Sequence, residues 1–458
     1  MPWIVFGFVM SHLLINHVYR TLYLTLDDLE ITGTQMVLVM KLSTFAWNVH
    51  DGRRPKEDLD PSQLATRITD YPSLLEFLGY VCYFPGLLIG PAFEFVSYRA
   101  LVDESLFTST SRPQANSTAA NTRSDSQVRI PAGRNRAAYT KMLQGLVFLL
   151  LFTIFGPKFT HAATLKPEWA ANPFWYRVAN IQIIGFFART KYYGAWCLTD
   201  GATILSGLGF NGYTHLGQAR WDKAANLHIM NIEFAPNFKI LLDNWNINTN
   251  AWLRNCIYKR VTPQGKRPGF RSSMLTFLTS ALWHGIYGGY YLTFILGGFI
   301  QTVARQCRTY LRPLFTPPLL APPPAKGEKP AKTALPAPPP TLPKRIYDIL
   351  GVVCTQLLLN YATAPFCLLT VSESLTSWRN MAWYGHIMVL VPLVFFKSPG
   401  KRVLARMATQ RQDRARLLAQ GTPELVVLPP TPASEKFSDV PDVVPPVYEI
   451  LDQSKKKV

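Results

Sequence analysis

Residues 274–300 read MLTFLTSALWHGIYGGYYLTFILGGFI. The stretch holds no Asp, Glu, Lys or Arg, and a helix needs roughly 20 apolar residues to cross a bilayer core of about 30 Å. It is long enough for one bent membrane helix or for two short passes, with Gly285, Gly288 and Gly289 as the place to break. Similar windows recur at Trp3 to Tyr19, Leu74 to Val96, Met142 to Phe159, Ile181 to Phe210 (interrupted by Arg189 and Lys191), Ile346 to Leu369 and Met381 to Phe396. Met36 to Trp47 is shorter and fits an interfacial or buried helix. Together they predict an all-α, polytopic membrane bundle with about six to nine passes. Residues 1–19 carry no basic n-region and no small-x-small cleavage site, so they read as a retained helix rather than a signal peptide.

The composition agrees. Of 458 residues, 48% are hydrophobic and only 16% charged, against about 25% in ordinary soluble chains. This argues against an ordinary soluble enzyme, and the apolar content excludes a wholly disordered chain. The six cysteines form no CxxC pair, which argues against a disulfide framework or a structural zinc site. His12 and His17 are five apart on poorly matched faces of a helix, so no metal is expected there either.

Polar segments divide the chain. Residues 1–104 hold the N-terminal membrane helices. Residues 105–136 are rich in Ser, Thr, Asn and Arg, read as a disordered insert, and carry one sequon at Asn116. Residues 137–312 form the membrane core, 316–343 a Pro/Ala-rich linker, and 344–396 the C-terminal membrane helices. Residues 397–458 read as a basic, largely disordered tail ending Lys455-Lys456-Lys457-Val458, a match to a dilysine endoplasmic-reticulum retrieval signal.

The net charge of +19 is clustered beside the apolar windows, so lipid headgroups fit it better than nucleic acid does. Residues 253–271 carry six basic residues and no acid, which predicts a cytosolic segment along the membrane surface; a docking patch for an anionic cofactor such as a CoA phosphate is the rival use. Arg305, Arg308 and Arg312 form a second cluster, and a single simple pass between the two would break the positive-inside rule. Gly207 to Gly212 satisfies GxGxxG on paper, yet it lies between apolar segments without a βαβ unit and reads as a turn.

Two stretches carry chemistry. Asn244, Asn246, Asn248 and Asn250 fall within seven positions framed by Trp245 and Trp252, which is costly near a membrane unless the amides are bonded or line a polar cavity. His284 places an ionisable ring inside the apolar window quoted above, a functional candidate by default. A neutral imidazole can take a proton from an alcohol, and an Asn amide can stabilise an oxyanion or orient the base. Asp222 and Glu233 read as structural partners of nearby Arg or Lys, while Trp245, Trp252, Trp283, Tyr290 and Tyr291 can line an apolar tunnel or fill a membrane interface or core.

WHGIYGGYYLTF at 283–294 closely resembles the WHGxxxGYxxxF signature of the membrane-bound O-acyltransferases (MBOAT), and WNINTNAWLRNCIYKR at 245–260 resembles the partner motif of their lysophospholipid branch. RWDKAANLHIMNIEF at 220–234, FPGLLIGPAFEFVSY at 84–98, TGTQMVLVMKLSTFAWNVHDG at 32–52 and KRPGFRSSMLTFLTSALWHG at 266–285 extend the likeness to the fungal type. The resemblance covers most of residues 1–310 and, more loosely, 345–400. It implies a bundle with an internal substrate tunnel, in the endoplasmic reticulum membrane with a cytosolic C-terminus. It implies transfer of a fatty acyl group from acyl-CoA, a co-substrate rather than a bound cofactor, to the free hydroxyl of a lysophospholipid. His284 matches the family's catalytic His and Asn246 its catalytic Asn, with Asn244 and Asn248 as rivals for the latter. The branch carries further membrane segments ahead of the position matched by Met1, so the expectation is a bundle shortened at its start. The competing readings are a sterol or diacylglycerol acyltransferase, an inactive scaffold and a transporter.

Overall fold

The computed structural model describes residues 1–24, 28, 30–108, 130–263, 268–318 and 339–420. Among these residues all regular structure is helical, apart from one isolated antiparallel bridge between Tyr213 and Ala219.

Helices α1 (Pro2–Tyr23) and α2 (Thr32–Gly52) form an antiparallel hairpin. The rings of Trp3 and Trp47 lie 5.4 Å apart at one end, Gln35 Nε2 meets His12 Nδ1 at 3.1 Å, and Arg20 reaches the Thr32 hydroxyl at the other end. The stretch Met36 to Trp47 is buried within α2. Its Lys41 ammonium donates to the carbonyls of Tyr80 (2.6 Å) and Val81 (3.1 Å), which satisfies a cation held inside the protein. A short α3 (Pro61–Thr66) follows, capped by the Asp60 carboxylate.

The apolar window Leu74 to Val96 is not one span. It breaks into α4 (Leu74–Val81), α5 (Phe84–Leu87) and the start of α6 (Phe95–Val102), because Pro85 and Pro91 lack the N–H that a continuous helix needs. Helical structure also enters both edges of the insert 105–136, as α7 (Ser105–Thr108) and the first turn of α8 (Arg134–Phe155); residues 109–129, with Asn116, lie outside the described residues.

After α9 (Pro167–Ala170), α10 (Phe174–Leu205) runs antiparallel to α8, with Phe148 against Tyr193 (5.3 Å) and Phe155 against Phe187 (5.1 Å). A Cβ on Gly145 would lie 2.9 Å from the Gly194 carbonyl, so glycine lets these two backbones close up. Arg189 and Lys191 do not interrupt α10. Arg189 forms two hydrogen bonds to Glu233 (3.0 and 2.8 Å), Tyr193 Oη donates to the same carboxylate (2.5 Å), and Asn360 Oδ1 accepts from Arg189 as well. The GxGxxG stretch is the turn leaving α10, with Gly207 and Gly212 at positive φ.

The remaining core is built from α11 (Ile229–Glu233), α12 (Phe238–Asn244), α13 (Ile247–Trp252), a π-helical turn over Leu253–Tyr258, α14 (Phe270–His284) and α15 (Gly288–Gln306). The quoted window 274–300 is two helices rather than one bent helix. Phe270 packs on Phe299 (5.7 Å), Phe277 on Phe294 (6.5 Å), and Arg305 donates to Ser273 Oγ (3.1 Å), so α14 and α15 are antiparallel. The reversal is at Gly285, whose φ of +136° is open to glycine and closed to bulkier residues. Arg271 of one basic cluster and Arg305 of the other therefore lie at one end of this hairpin, and His284 lies at the other, about 20 Å along α14 at 1.5 Å per residue.

Helices α16 (Leu342–Ala362), α17 (Ala364–Leu368), α18 (Val371–Asn380) and α19 (Tyr384–Lys397) pack around α15 and α10, and α20 (Gly400–Gln420) extends ordered structure into the basic tail. Most of the Pro/Ala linker (319–338) and residues 421–458, with the terminal lysines, lie outside the described residues. Among the described residues, Pro2–Tyr23, Arg134–Phe155 and Leu342–Leu368 are long and apolar enough to cross a membrane on their own. This is a multi-pass membrane protein whose core also contains broken and polar helices.

Candidate active site

One face of α2 anchors both candidate segments. Met36, Met40 and Ser43 follow the i, i+4, i+7 spacing of a single helix stripe. Trp283 Nε1 donates to the Met36 carbonyl (3.0 Å), Thr249 Oγ1 lies 3.2 Å from Met40 Sδ, and Trp252 Nε1 donates to Ser43 Oγ (2.8 Å). The Asn-rich segment and the His-bearing hairpin thus meet on the same helix, within an apolar cluster that includes Met10, Leu13, Val37 and Cys256. Their own residues also touch: the rings of Trp252 and Trp283 are 5.8 Å apart.

His284 closes α14 and is half-buried among aromatic rings. Phe294 stacks on it at 5.2 Å and 20°, while Phe366 meets it edge-on at 4.9 Å. No hydrogen bond holds its imidazole among the described residues, and His17 Nε2 approaches the neighbouring Trp283 carbonyl at 3.2 Å. His12 goes to Gln35 instead, so the two α1 histidines serve different partners. Phe366 was not singled out by sequence reasoning; it comes from α17, some 80 positions away, and no local pattern marks it.

Asn246 adopts the left-handed conformation (φ 46°, ψ 56°) immediately before α13, which Asn tolerates better than most residues. A hydrogen-bond account separates the four amides. Asn244 Nδ2 donates to the Ile240 carbonyl (2.8 Å), Asn248 Nδ2 to Asn226 Oδ1 (3.1 Å), and Asn250 Nδ2 to the Leu242 carbonyl (3.0 Å). Asn246 differs. Its Oδ1 takes hydrogen bonds from Asn226 Nδ2 (3.1 Å) and Thr249 Oγ1 (2.8 Å), and its Nδ2 has no acceptor among the described residues. Three amides are used in holding the segment, and one keeps free donors.

Asp222 and Glu233 each pair with an arginine. Asp222 pairs with Arg220 (2.9 Å) and accepts from Asn211 (2.7 Å); burial raises its carboxyl, but these hydrogen bonds and the Arg220 charge outweigh burial and hold it below the usual range. Glu233 is the Arg189 partner described above. Trp245 packs against Tyr192, Tyr193 and Trp196, while Tyr290 joins His284 and Phe366. Among the described residues no group of three or more His, Cys, Asp or Glu is arranged to hold a metal ion.

With this geometry in place, comparison with known proteins is specific. The model of MBOAT, the membrane-bound O-acyltransferase family, matches residues 14–325. The chain is 39% identical over 417 residues to a lysophospholipid acyltransferase of Schizosaccharomyces pombe, covering 91% of this chain and 76% of that protein. It is 35% identical over 422 residues to a lysophospholipid acyltransferase of Saccharomyces cerevisiae, covering 90% of this chain and 65% of the relative. Membrane-bound glycerophospholipid O-acyltransferase 2 of Mus musculus is 32% identical over 383 residues, with 83% of this chain and 67% of the mouse protein covered. The chain thus spans between about two thirds and three quarters of these relatives' lengths. Two signature segments docked on one helix, and a family match over most of the chain, lead to one conclusion: this protein belongs to the membrane-bound O-acyltransferase family.

Proposed function

We propose that the protein is an acyl-CoA-dependent lysophospholipid O-acyltransferase of the endoplasmic reticulum membrane, with His284 as general base and Asn246 as oxyanion or orienting donor. The free hydroxyl of the lysophospholipid gives its proton to the His284 imidazole and attacks the thioester carbonyl. The developing oxyanion accepts from the Asn246 NH2, the C–S bond breaks, and the leaving CoA sulfur takes up the proton. The thioester is already activated, so acyl-CoA enters as a co-substrate and no further cofactor is invoked.

The observation that carries the residue assignment is the amide account: within the Asn-rich segment, Asn246 alone among Asn244, Asn246, Asn248 and Asn250 has an NH2 without an acceptor among the described residues. The substrate class is supported by the fungal and mouse relatives, which are lysophospholipid and glycerophospholipid acyltransferases. The shared end of Arg271 and Arg305 supports a cytosolic face for acyl-CoA entry and for the tail.

The test uses membranes from cells expressing the wild-type chain or His284→Ala, given labelled oleoyl-CoA with lysophosphatidylcholine, lysophosphatidylethanolamine, lysophosphatidate, cholesterol or diacylglycerol. The expected result is labelled diacyl phospholipid that depends on His284. Sterol ester or triacylglycerol instead, or no product from protein present in the membrane, overturns the proposal.

A further inference from the structure

Asn226 lies in the stretch RWDKAANLHIMNIEF, is 3% exposed, and belongs to neither candidate segment. It grips the chain just beyond Asn246 twice. Its backbone carbonyl accepts from the Ile247 N–H (2.9 Å), and its side-chain oxygen accepts from the Asn248 N–H (3.2 Å).

That second bond fixes a polarity. A backbone N–H can only donate, so the Asn226 atom facing Asn248 must be the amide oxygen. The Asn248 side chain donates to the same oxygen (3.1 Å). The other arm of the Asn226 amide is therefore its NH2, and it points at Asn246 (3.1 Å). A donor there requires the Asn246 oxygen. Thr249, 5% exposed, adds a second donor: its hydroxyl is 2.8 Å from that oxygen and 3.2 Å from Met40 Sδ, and a thioether is much the weaker acceptor. With both lone pairs of its oxygen engaged, Asn246 has only its NH2 left to present.

We infer, on the acyl-transfer reading given above, that Asn226 is a positioning residue that sets which way the Asn246 amide faces, relaying the orientation of the Asn248 backbone N–H into a donor aimed at the reaction. Asn226 does not touch substrate. It acts through Asn246, with Thr249 as its partner, and it prevents the flip that would turn an oxygen toward a developing oxyanion.

Asn226→Asp isolates this role. Aspartate keeps the oxygen that holds the Asn248 N–H and loses the NH2 that meets Asn246. Wild type, Asn226→Asp, Thr249→Val, Asn246→Ala and the double variant Asn226→Asp/Asn246→Ala are compared after purification in detergent. The acyl donor is oleoyl-CoA, and the acceptor is whichever of lysophosphatidylcholine, lysophosphatidylethanolamine and lysophosphatidate the wild type uses best. The expected result for Asn226→Asp is a monodisperse protein whose kcat falls by about 30-fold or more, with KM for oleoyl-CoA within about threefold of wild type. The double variant should be no slower than Asn246→Ala, because the two residues act through one donor.

An Asn226→Asp kcat within threefold of wild type, or a further loss in the double variant, overturns the inference. If Asn226→Asp does not fold, Thr249→Val decides: reduced kcat at unchanged KM supports the inference and wild-type kcat overturns it. An inactive wild type, or an Asn246→Ala that turns over normally, instead refutes the functional reading beneath it. An active wild type with dead Asn246→Ala and a normal Asn226→Asp removes the positioning role alone.

Discussion

Trp252 of the Asn-rich segment and Trp283 of the His-bearing hairpin lie with ring centroids 5.8 Å apart and are tied by their indole N–H groups to Ser43 and Met36, one face of α2. The two halves of the candidate site are thus fixed by a shared wall as well as by each other. Their relative placement depends on α2, a helix that supplies no proposed catalytic group.

Loss of the base is the most direct prediction. His284→Ala should lower acyl transfer by about 100- to 10,000-fold, which removes detectable product, while abundance in the membrane stays near normal. Abundance is protected because no hydrogen bond among the described residues is lost with the imidazole. Labelled-product assay and immunoblot of the same membranes check both halves of the statement.

The asparagines should separate by their effect on kcat. Asn246→Ala should cost about 100- to 1,000-fold in kcat, as expected for an oxyanion donor, and should also lower stability by about 1–3 kcal/mol because the buried Asn226 and Thr249 donors lose their acceptor. Asn244→Ala and Asn250→Ala each remove a donor that holds the local fold, so they should lower thermal stability by about 1 kcal/mol. A thermal-shift series beside kcat measurements decides it; wild-type kcat in Asn246→Ala would show the wrong amide was chosen.

The hairpin packing makes its own prediction. A Cβ on Gly289 would lie 2.1 Å from the Pro365 carbonyl and 2.8 Å from that of Leu369, and backbone cannot yield as a flexible side chain would. Gly289→Ala should therefore push α15 from α17 and destabilise by about 1–3 kcal/mol, the cost typical of overpacking. Because Phe366 on α17 touches His284, activity should fall with it. Thermal melting and turnover measured together provide the check.

Arg189 and Glu233 form a buried ion pair at 2.8 Å with Tyr193 and Asn360 around it. Removing one partner leaves an uncompensated charge, so Arg189→Met should destabilise by about 3–5 kcal/mol. Arg189→Met/Glu233→Gln should recover a large part of that loss. A double variant as unstable as the single would refute the pairing account.

Outside the membrane helices, Asp60 accepts from Lys259 (2.8 Å) and caps α3. Burial raises its carboxyl, but the bonds from Lys259 and Ser62 and the Lys259 charge win, and the group is held below its usual value. A depressed carboxylate contributes stability above its unfolded pKa and loses it as pH falls through the folded one. Asp60→Asn should therefore lower the melting temperature slightly at pH 7, since a partly exposed pair contributes about 0–1 kcal/mol. That difference should persist to about pH 4 and shrink below it. Melting curves across that range test the sign.

Much of this protein was legible in the sequence because it depends on local properties. Apolar windows of membrane length follow from side-chain chemistry along one segment, and they gave the all-α multi-pass class. His284 and Asn246 stood out as polar groups where polarity is costly, within motifs that resemble one family. The break in Leu74 to Val96 was legible too, in Pro85 and Pro91, but apolar content masked it.

Tertiary structure decided what depends on partners far along the chain. The window 274–300 became two antiparallel helices because Gly285 permits the reversal and aromatic pairs such as Phe277 and Phe294 fix the packing. Arg189 could remain inside α10 because Glu233, 44 positions on, neutralises it. Asn246 was distinguished from its neighbours by Asn226, 20 positions earlier, and by Thr249. A sequence lists donors and acceptors. Which of them remain unused is set only when the folded chain has paired the rest.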